Sequence, residues 1–225
     1  MKTNQIIQGD CLKKLRNFPD ESVDLIIVDP PYNIGVNYGK SKDRNKDYHN
    51  WCSRWLKESE RVLKSNGSLY VINYPENNSR LFNQETKLIF RRWIMWFYPS
   101  NIGHSKNNFT RASRSILFYT KGNKFKFNLK KGEVVEDVLH FNLVKNVSKE
   151  YIEKIPNQIP EKLISLLIET SSNKGDIVLD FFFGSGTTGV CALNLKRKFI
   201  GIELNKNYVE IAKKRIKPFL EQREL

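Results

Sequence analysis

Apolar residues in this chain gather in short unbroken runs, separated by polar stretches and by segments of helical period. Val23 to Val28 (VDLIIV) is the first such run, rich in β-branched residues, as suits a strand covered on both faces of a parallel sheet. It stops at Asp29-Pro30-Pro31-Tyr32, and the polar stretch Asn33 to Asn50, with Gly35, Gly39 and several Lys and Arg, reads as a loop. From Trp51 to Leu63 the apolar residues Trp51, Trp55, Leu56, Val62 and Leu63 return at roughly helical spacing and end before Asn66-Gly67, which predicts a helix. Ser68 to Asn73 is a second strand. Strand, helix, strand implies a right-handed parallel crossover, and with it an α/β fold.

Arg92 to Tyr98 and Ser115 to Thr120 are further strand candidates, joined by a polar, basic connection from Pro99 to Arg114. Asn123 to Ile155 shows no strand pattern. Ile177 to Phe183 is a strand that runs into Gly184-Ser185-Gly186-Thr187-Thr188-Gly189. Val190 to Leu195 then reads as a helix and Phe199 to Ile202 as a strand. Asn207 to Phe219 reads as a helix, with Val209, Ile211, Ala212, Ile216 and Leu220 on its apolar side. The last third is a β-α-β-α unit.

A length of 225 residues suffices for one full-sized domain without disulfides or a structural metal. Cys11, Cys52 and Cys191 are widely spaced, and His49, His104 and His140 are scattered. Neither a disulfide framework nor a metal site is expected, and a reducing cytoplasm fits best. With no signal-like or membrane-spanning apolar stretch, a soluble protein without membrane contact is expected. Charge changes the picture more: 38 Lys and Arg against 24 Asp and Glu leave +14, while 12% aromatic residues argue against a disordered basic tail. A folded basic domain points to a polyanionic partner, nucleic acid first.

Strand, glycine loop, helix is the arrangement in which backbone N-H groups at a helix start meet a polar or anionic ligand, and glycine lets the backbone come close. Gly184, Gly186 and Gly189 match the spacing G-x-G-x-x-G, and Glu203 stands at the end of the next strand, where a carboxylate would accept both hydroxyls of a ribose. A nicotinamide cofactor and S-adenosylmethionine both use such parts. Only 22 residues follow Glu203, too few for the second half of a dinucleotide fold, and no Gly-Lys-Ser/Thr follows as a P-loop requires.

Asp29-Pro30-Pro31-Tyr32 leaves its strand at the carboxyl edge of the sheet, where open α/β folds bind ligands. Both prolines fix their own φ, and Pro31 holds Pro30 extended, so the Pro30 carbonyl points in one direction. The turn offers two acceptors, the Asp29 carboxylate and the Pro30 carbonyl, and no donor. Pairing both with the N-H groups of an exocyclic amine on a base would free the nitrogen lone pair from ring conjugation. Positive charge developing on that nitrogen would be stabilised by fixed negative groups. Tyr32 adds a ring on which an extruded base can stack.

In combination these motifs resemble the amino-group DNA methyltransferases that use S-adenosylmethionine. Gly9-Asp10 with Leu12 and Leu15, the stretch Pro19 to Ile26, and DPPYNIG resemble that family's opening. Leu179-Asp180 through FFFGSGTTG, Phe199 to Glu203, and Tyr208 with Ala212 and Arg215 resemble its cofactor half. The turn precedes the glycine loop, which is the order of the β group. The resemblance therefore implies a circularly permuted, Rossmann-like α/β fold whose mostly parallel seven-stranded sheet contains an antiparallel strand. It implies that Asp29 and Pro30, with Pro31, hold the target amine and that Tyr32 stacks on the base. It also implies that Asp10, with Cys11 beside it, meets the cofactor's adenine, and that Glu203 takes the ribose. Asp29, Asp180, Phe182, Gly184, Gly186, Thr187 and Thr188 would line the methionine end. Phe181 departs from the family, which has proline there, and of Asn157 to Leu163 only Pro160 and the following helix carry over.

On this reading residues 1–122 form the catalytic half, 123–156 a short target-recognition insertion and 157–225 the cofactor half of one methyltransferase domain. Between His104 and Lys131 there is no acidic residue, and Phe109, Phe118, Phe125 and Phe127 interleave with basic side chains. Lys106, Arg111, Arg114, Lys124, Lys126, Lys130 and Lys131 are expected at the DNA backbone. So brief an insertion implies a short site or a second subunit in a homodimer. The activity expected is methylation of adenine N6 in double-stranded DNA with the target base flipped out, because DPPY is commoner for adenine in the family than for cytosine. Cytosine N4 is the alternative, and RNA methylation or a catalytically silent DNA-binding subunit fit less well. A restriction-modification role would add a cognate restriction endonuclease as partner.

Overall fold

The computed structural model describes residues 1–35, 43–99, 106–129, 132–153 and 155–221. Val23–Val28 is buried at all six positions, and past a register shift between Val23 and Leu25 its apolar side chains divide by the two-residue period of a strand. Leu25 and Ile27 enter one apolar cluster, while Ile26 and Val28 enter another. The second cluster takes up the apolar sides of helices α1 (Cys11–Leu15), α2 (Tyr48–Val62) and α3 (Pro75–Phe82). The first takes up α4 (Glu161–Ser171), α5 (Thr187–Asn194) and α6 (Lys206–Glu221). A sheet with three helices on each face is the result, and its central strands are apolar without alternation because both faces are covered. None of the helices is long and apolar enough to cross a membrane, among the described residues.

The strands are β1 (Gln5–Gln8), β2 (Val23–Val28), β3 (Leu63–Asn73), β4 (Ile89–Phe97), β5 (Ser113–Thr120), β6 (Val138–His140), β7 (Ile177–Asp180) and β8 (Lys198–Glu203). They lie in the order β1-β8-β7-β2-β3-β5-β4-β6, and every pair is parallel except those of β5 with β3 and β4. The α/β class and the mostly parallel sheet agree with the sequence reading. The strand count does not: eight strands are present among the described residues where seven were expected. β6 accounts for a strand inside 123–156, the stretch without a strand pattern, because three residues are too few to show a period. Its pairing with Met95–Phe97 of β4 defines it.

The permutation is visible in the sheet order. β7 and β8 come late in the chain yet sit between β1 and β2. Leu25 pairs with Val178 and Ile26 with Leu179, so β2 and β7 deliver Asp29 and Asp180 to the same edge. β7 ends at Asp180 rather than Phe183, and α5 begins at Thr187 rather than Val190. Residues 181–186 turn between them, with the Phe183 amide donating to the Ile202 carbonyl. α2 likewise starts within the stretch Asn33 to Asn50, and positions 36–42 of that stretch lie outside the described residues.

The Phe183 ring explains two glycines. A Cβ on Gly201 would stand 2.5 Å from that ring, and one on Gly189 2.7 Å from it. The ring also stacks on Phe199 at 5.6 Å, so it has nowhere to retreat in the core. Gly201→Ala is therefore expected to lower the unfolding free energy by about 1-3 kcal/mol. Urea denaturation of the variant and wild type measures this, and equal midpoints would show that the ring is free to move.

Candidate active site

A cleft of about 600 Å³ opens at the carboxyl edge of the sheet, where β1, β2, β7 and β8 end. The end nearest β1 brings Asp10, Cys11 and Glu203 into its wall. Asp29 and Pro31 enter it from the end of β2, and Asp180, Phe182, Gly184, Thr187 and Thr188 from the end of β7. Pro30, Tyr32 and Gly186 lie outside the wall. Gly186 acts through its backbone: φ is 82°, and an added Cβ would be 3.0 Å from Ile216. Phe181 is buried against Trp55 at 5.8 Å.

Each acidic side chain in the wall also organises backbone. Asp10 caps α1 by accepting from the Lys13 amide at 2.9 Å. Glu203 accepts from the Gly184 amide at 2.8 Å and the Asn205 amide at 2.7 Å, tying β8 to the glycine loop. Asp180 accepts from Thr188 Oγ1 at 2.6 Å and the Phe182 amide at 2.9 Å. Arg215 of α6 fastens the loop from behind, donating through Nη1 to Ser185 and to Thr187 Oγ1 at 3.0 Å and through Nη2 to Glu161 at 2.6 Å.

A chain of net charge +14 thus lines this cleft with carboxylates. Their protonation reflects the crowding. Burial raises Asp180 to about 7, with Asp29 and Glu203 adding repulsion. Burial also raises Asp29, to about 6, against the opposing pull of the Arg114 charge and the Tyr32 hydroxyl. Glu203 is raised by burial. The Cys11 thiol, pushed up to about 12 by burial, is a neutral part of the wall at physiological pH.

The Asp-Pro-Pro-Tyr turn is held by a polar network. Tyr48 Oη donates to the Pro31 carbonyl at 2.7 Å, and Asn77 Nδ2 donates to the Tyr32 carbonyl at 2.8 Å. Asn73, the last residue of β3, links them, donating to Tyr48 Oη at 3.0 Å and accepting from Asn77 at 3.0 Å. The Pro30 carbonyl alone of these three is left without a donor among the described residues. Sequence reading missed Tyr48, Asn73 and Asn77. The available signal was Asn73 itself, a polar residue closing a buried strand at the ligand-binding edge, as Asp29 does.

Tyr32 differs from its expected role. Its side chain is 2% exposed, with its ring 4.6 Å from Tyr74 and under the Arg114 guanidinium at 4.9 Å. Its hydroxyl donates to Asp29 Oδ1. The ring is not an open stacking platform in this conformation, because aromatic and cationic neighbours from β5 and α3's entry cover it. Tyr32 instead fixes the carboxylate.

The basic residues divide between opposite edges of the sheet. The connection from β4 to β5 lies at the cleft edge and carries exposed Lys106. Arg111 lies on the same connection, paired with Glu76 at 2.8 Å and stacked over Tyr74 at 3.9 Å. Arg114 is only 3% exposed and does not face a DNA backbone. β5 runs the other way, placing Thr120 opposite Ser68 at the amino edge, so the residues after it lead away from the cleft. Lys124 is exposed there. Lys126 is bound to Asp24 at 2.8 Å and Asp176 at 2.6 Å, as a clasp on the amino ends of β2 and β7. Lys130 and Lys131 lie outside the described residues.

Comparisons with known proteins give the family and the fold. A family model described as DNA methylase matches residues 23–214. The type II methyltransferase M.HpaI of Haemophilus parainfluenzae is 36% identical, over 94% of this chain and 74% of its own. The DNA adenine methyltransferase YhdJ of Escherichia coli is also 36% identical, over 94% of this chain and 82% of its own. Among solved structures, the M1.HpyAVI-SAM complex matches with a TM-score of 0.72 at 28% identity, covering 94% of this chain and 98% of that one. PvuII DNA methyltransferase (cytosine-N4-specific) matches with a TM-score of 0.81, covering 99% and 93%, and at 22% identity this is a likeness of fold.

The Lys126 clasp is testable by stability. Asp24 is held below the usual carboxylate range by Lys126 and Lys64, so its pairing stabilises the fold above the unfolded-state pKa and is lost as pH falls through the folded one. Lys126→Ala is expected to lower the unfolding free energy by about 1-3 kcal/mol near neutral pH. The deficit should shrink on acidification. Equal denaturation midpoints at neutral pH would show that the clasp contributes nothing.

Proposed function

The chain belongs to the DNA methylase family of S-adenosylmethionine-dependent amino methyltransferases, and on that premise we propose that it methylates the N6 amino group of adenine in double-stranded DNA, with Asp29 and Pro30 as acceptors for the target amine. The observation that carries the assignment is the turn itself. Two of its carbonyls are occupied by Tyr48 and Asn77, the Pro30 carbonyl has no donor among the described residues, and the Asp29 carboxylate next to it stands in the cleft wall.

The cleft residues fit the cofactor. A space of about 600 Å³ is ample for a molecule of that size. Glu203 uses one lone pair of each oxygen on backbone amides, which leaves acceptor capacity for two ribose hydroxyls. Asp10 and Cys11 would flank the adenine, and the Asp29 and Asp180 carboxylates would face the charged sulfur. Bound there, S-adenosylmethionine supplies an electrophilic methyl group on a sulfonium. Asp29 and Pro30 would take both N-H groups of the target amine, leaving its lone pair free to attack. As the S–CH3 bond breaks and the neutral thioether leaves, positive charge would develop on the nitrogen beside the Asp29 carboxylate, which would accept the proton that the methylated nitrogen gives up.

Adenine is favoured by the DPPY turn and by the 36% identical relative named as a DNA adenine methyltransferase. Lys106, exposed on the connection at the cleft edge, supports backbone contact from that side. The type II naming of M.HpaI supports extending the reading to a cognate restriction endonuclease, and the brevity of 123–156 supports a homodimer on longer recognition sites.

Asp29→Ala is expected to reduce methyl transfer from tritiated cofactor to DNA by about 10²-10³ or more, with cofactor binding retained. Base-resolved sequencing of DNA from expressing cells should show N6-methyladenine. N4-methylcytosine in its place would overturn the choice of base, and unmodified DNA would overturn the reading altogether.

Cofactor binding should also release protons. A sulfonium beside Asp180 and Asp29 favours their ionised forms, so their pKa values, about 7 and about 6 in the free protein, fall on binding. Affinity should rise with pH through this range. Calorimetry in buffers of different ionisation enthalpy counts the protons, and the neutral thioether S-adenosylhomocysteine should release fewer. Equal release by both ligands would remove the carboxylates from the sulfonium site.

A further inference from the structure

Arg114 stands on β5 with 3% of its surface exposed. Its guanidinium lies 4.9 Å from the Tyr32 ring, 5.0 Å from Trp96 and 5.8 Å from Tyr74, and Nη2 donates to Asn157 Oδ1 at 3.3 Å. Nε and Nη1 are buried without a hydrogen-bond acceptor among the described residues. A cation enclosed in this way is costly unless something answers its charge. Aromatic faces answer part of it. The anion that answers the rest is Asp29, joined to Arg114 through Tyr32, whose ring lies under the guanidinium and whose hydroxyl is bonded to the carboxylate.

The arrangement has a direction. Asp29 and Asn157 are in the cleft wall, whereas Arg114 is not. The cation therefore stands one layer behind the acceptor, with Tyr32 linking the two. Asn157 is held at φ 56°, a conformation uncommon for residues with a Cβ, and its side-chain oxygen faces the guanidinium. One side chain thus anchors two parts of the wall that are far apart in sequence.

We propose that Arg114 is a positioning residue for methyl transfer, a buried cation that locks the Tyr32-Asp29 pair and Asn157 in place and holds the Asp29 carboxylate charged at neutral pH. The inference rests on the assignment of Asp29 as the amine acceptor. Groups acting on Asp29 come from four sides: Arg114 on β5, Tyr32 in the turn, Tyr48 on α2 and Asp180 on β7. Of these only Arg114 is positive. Protonated Asp29 is a weaker acceptor and has no negative charge to offer the reacting amine, so activity falls as pH drops through the Asp29 pKa, which is about 6 in the free protein and lower with the cofactor bound.

The test is the pH profile of kcat/KM for methyl transfer to DNA in Arg114→Met, Arg114→Lys and the wild type. The acid limb of Arg114→Met should move up by about 1-3 pH units, leaving the enzyme weak at neutral pH and recovering in alkali. Arg114→Lys keeps the charge, and its limb should stay with the wild type even if kcat falls. A uniform loss in Arg114→Met with an unmoved limb would reduce Arg114 to packing and overturn the proposal. Tyr32→Phe keeps the ring and the cation but removes the hydroxyl, so its limb should move the same way by less. That variant decides the matter if Arg114→Met does not fold, since an unmoved limb there would also overturn the coupling. A wild type that transfers no methyl to a DNA amine would instead remove the underlying assignment of Asp29.

Discussion

The parallel pairing of β2 with β7 is the contact on which the site depends. It joins two parts of the chain separated by most of its length and aligns Leu25 with Val178 and Ile26 with Leu179. That register sets Asp29 and Asp180 on the same edge. The strands are fixed there by burial on both faces, three helices to a side, and by Lys126 clasping Asp24 and Asp176 at their other end. A shift of one residue would turn every side chain of β2 to the opposite cluster, so the apolar cores enforce the alignment of the cleft edge.

The cleft sets charge against solvation. Carboxylates suit a cationic ligand, yet burying them together raises their pKa values, Asp180 to about 7 and Asp29 to about 6. Backbone amides offset part of this at Asp180 and Glu203, and those same bonds fasten the glycine loop. At Asp29 no backbone amide donates among the described residues, and the two residues that follow, being prolines, have none to offer. A hydroxyl and a buried guanidinium take that place. The prolines that stiffen the turn thus create the need for Tyr32 and Arg114.

The turn is made selective by what surrounds it as much as by its own stiffness. Donors from α2 and α3 occupy the Pro31 and Tyr32 carbonyls. Competing acceptors are thereby removed from the edge, and the Pro30 carbonyl remains. Asn73 coordinates both donors from the end of β3, so three neighbouring strands, β2, β3 and β7, each contribute a polar residue at the point where they leave the sheet.

The sequence by itself determined the features that arise from local constraint. The boundaries of β2 are legible to the residue, because a fully buried strand is a mostly apolar run, here broken only by Asp24, and prolines follow close after it. The glycine loop and Glu203 are legible because close backbone approach demands glycine at fixed spacing, and these motifs in their order carry the family resemblance. Tertiary structure alone decided what depends on strand direction and on partners distant in the chain. The reversal of β5 splits a continuous basic stretch between two edges of the sheet, leaving Lys106 at the cleft and sending Lys126 to the far side. It also draws Arg114 inside, against Tyr32. No period or composition distinguishes these basic residues from one another, since a charge is the same in sequence whether it meets solvent, a carboxylate or an aromatic ring. Only the packing of the sheet settles which of these it meets.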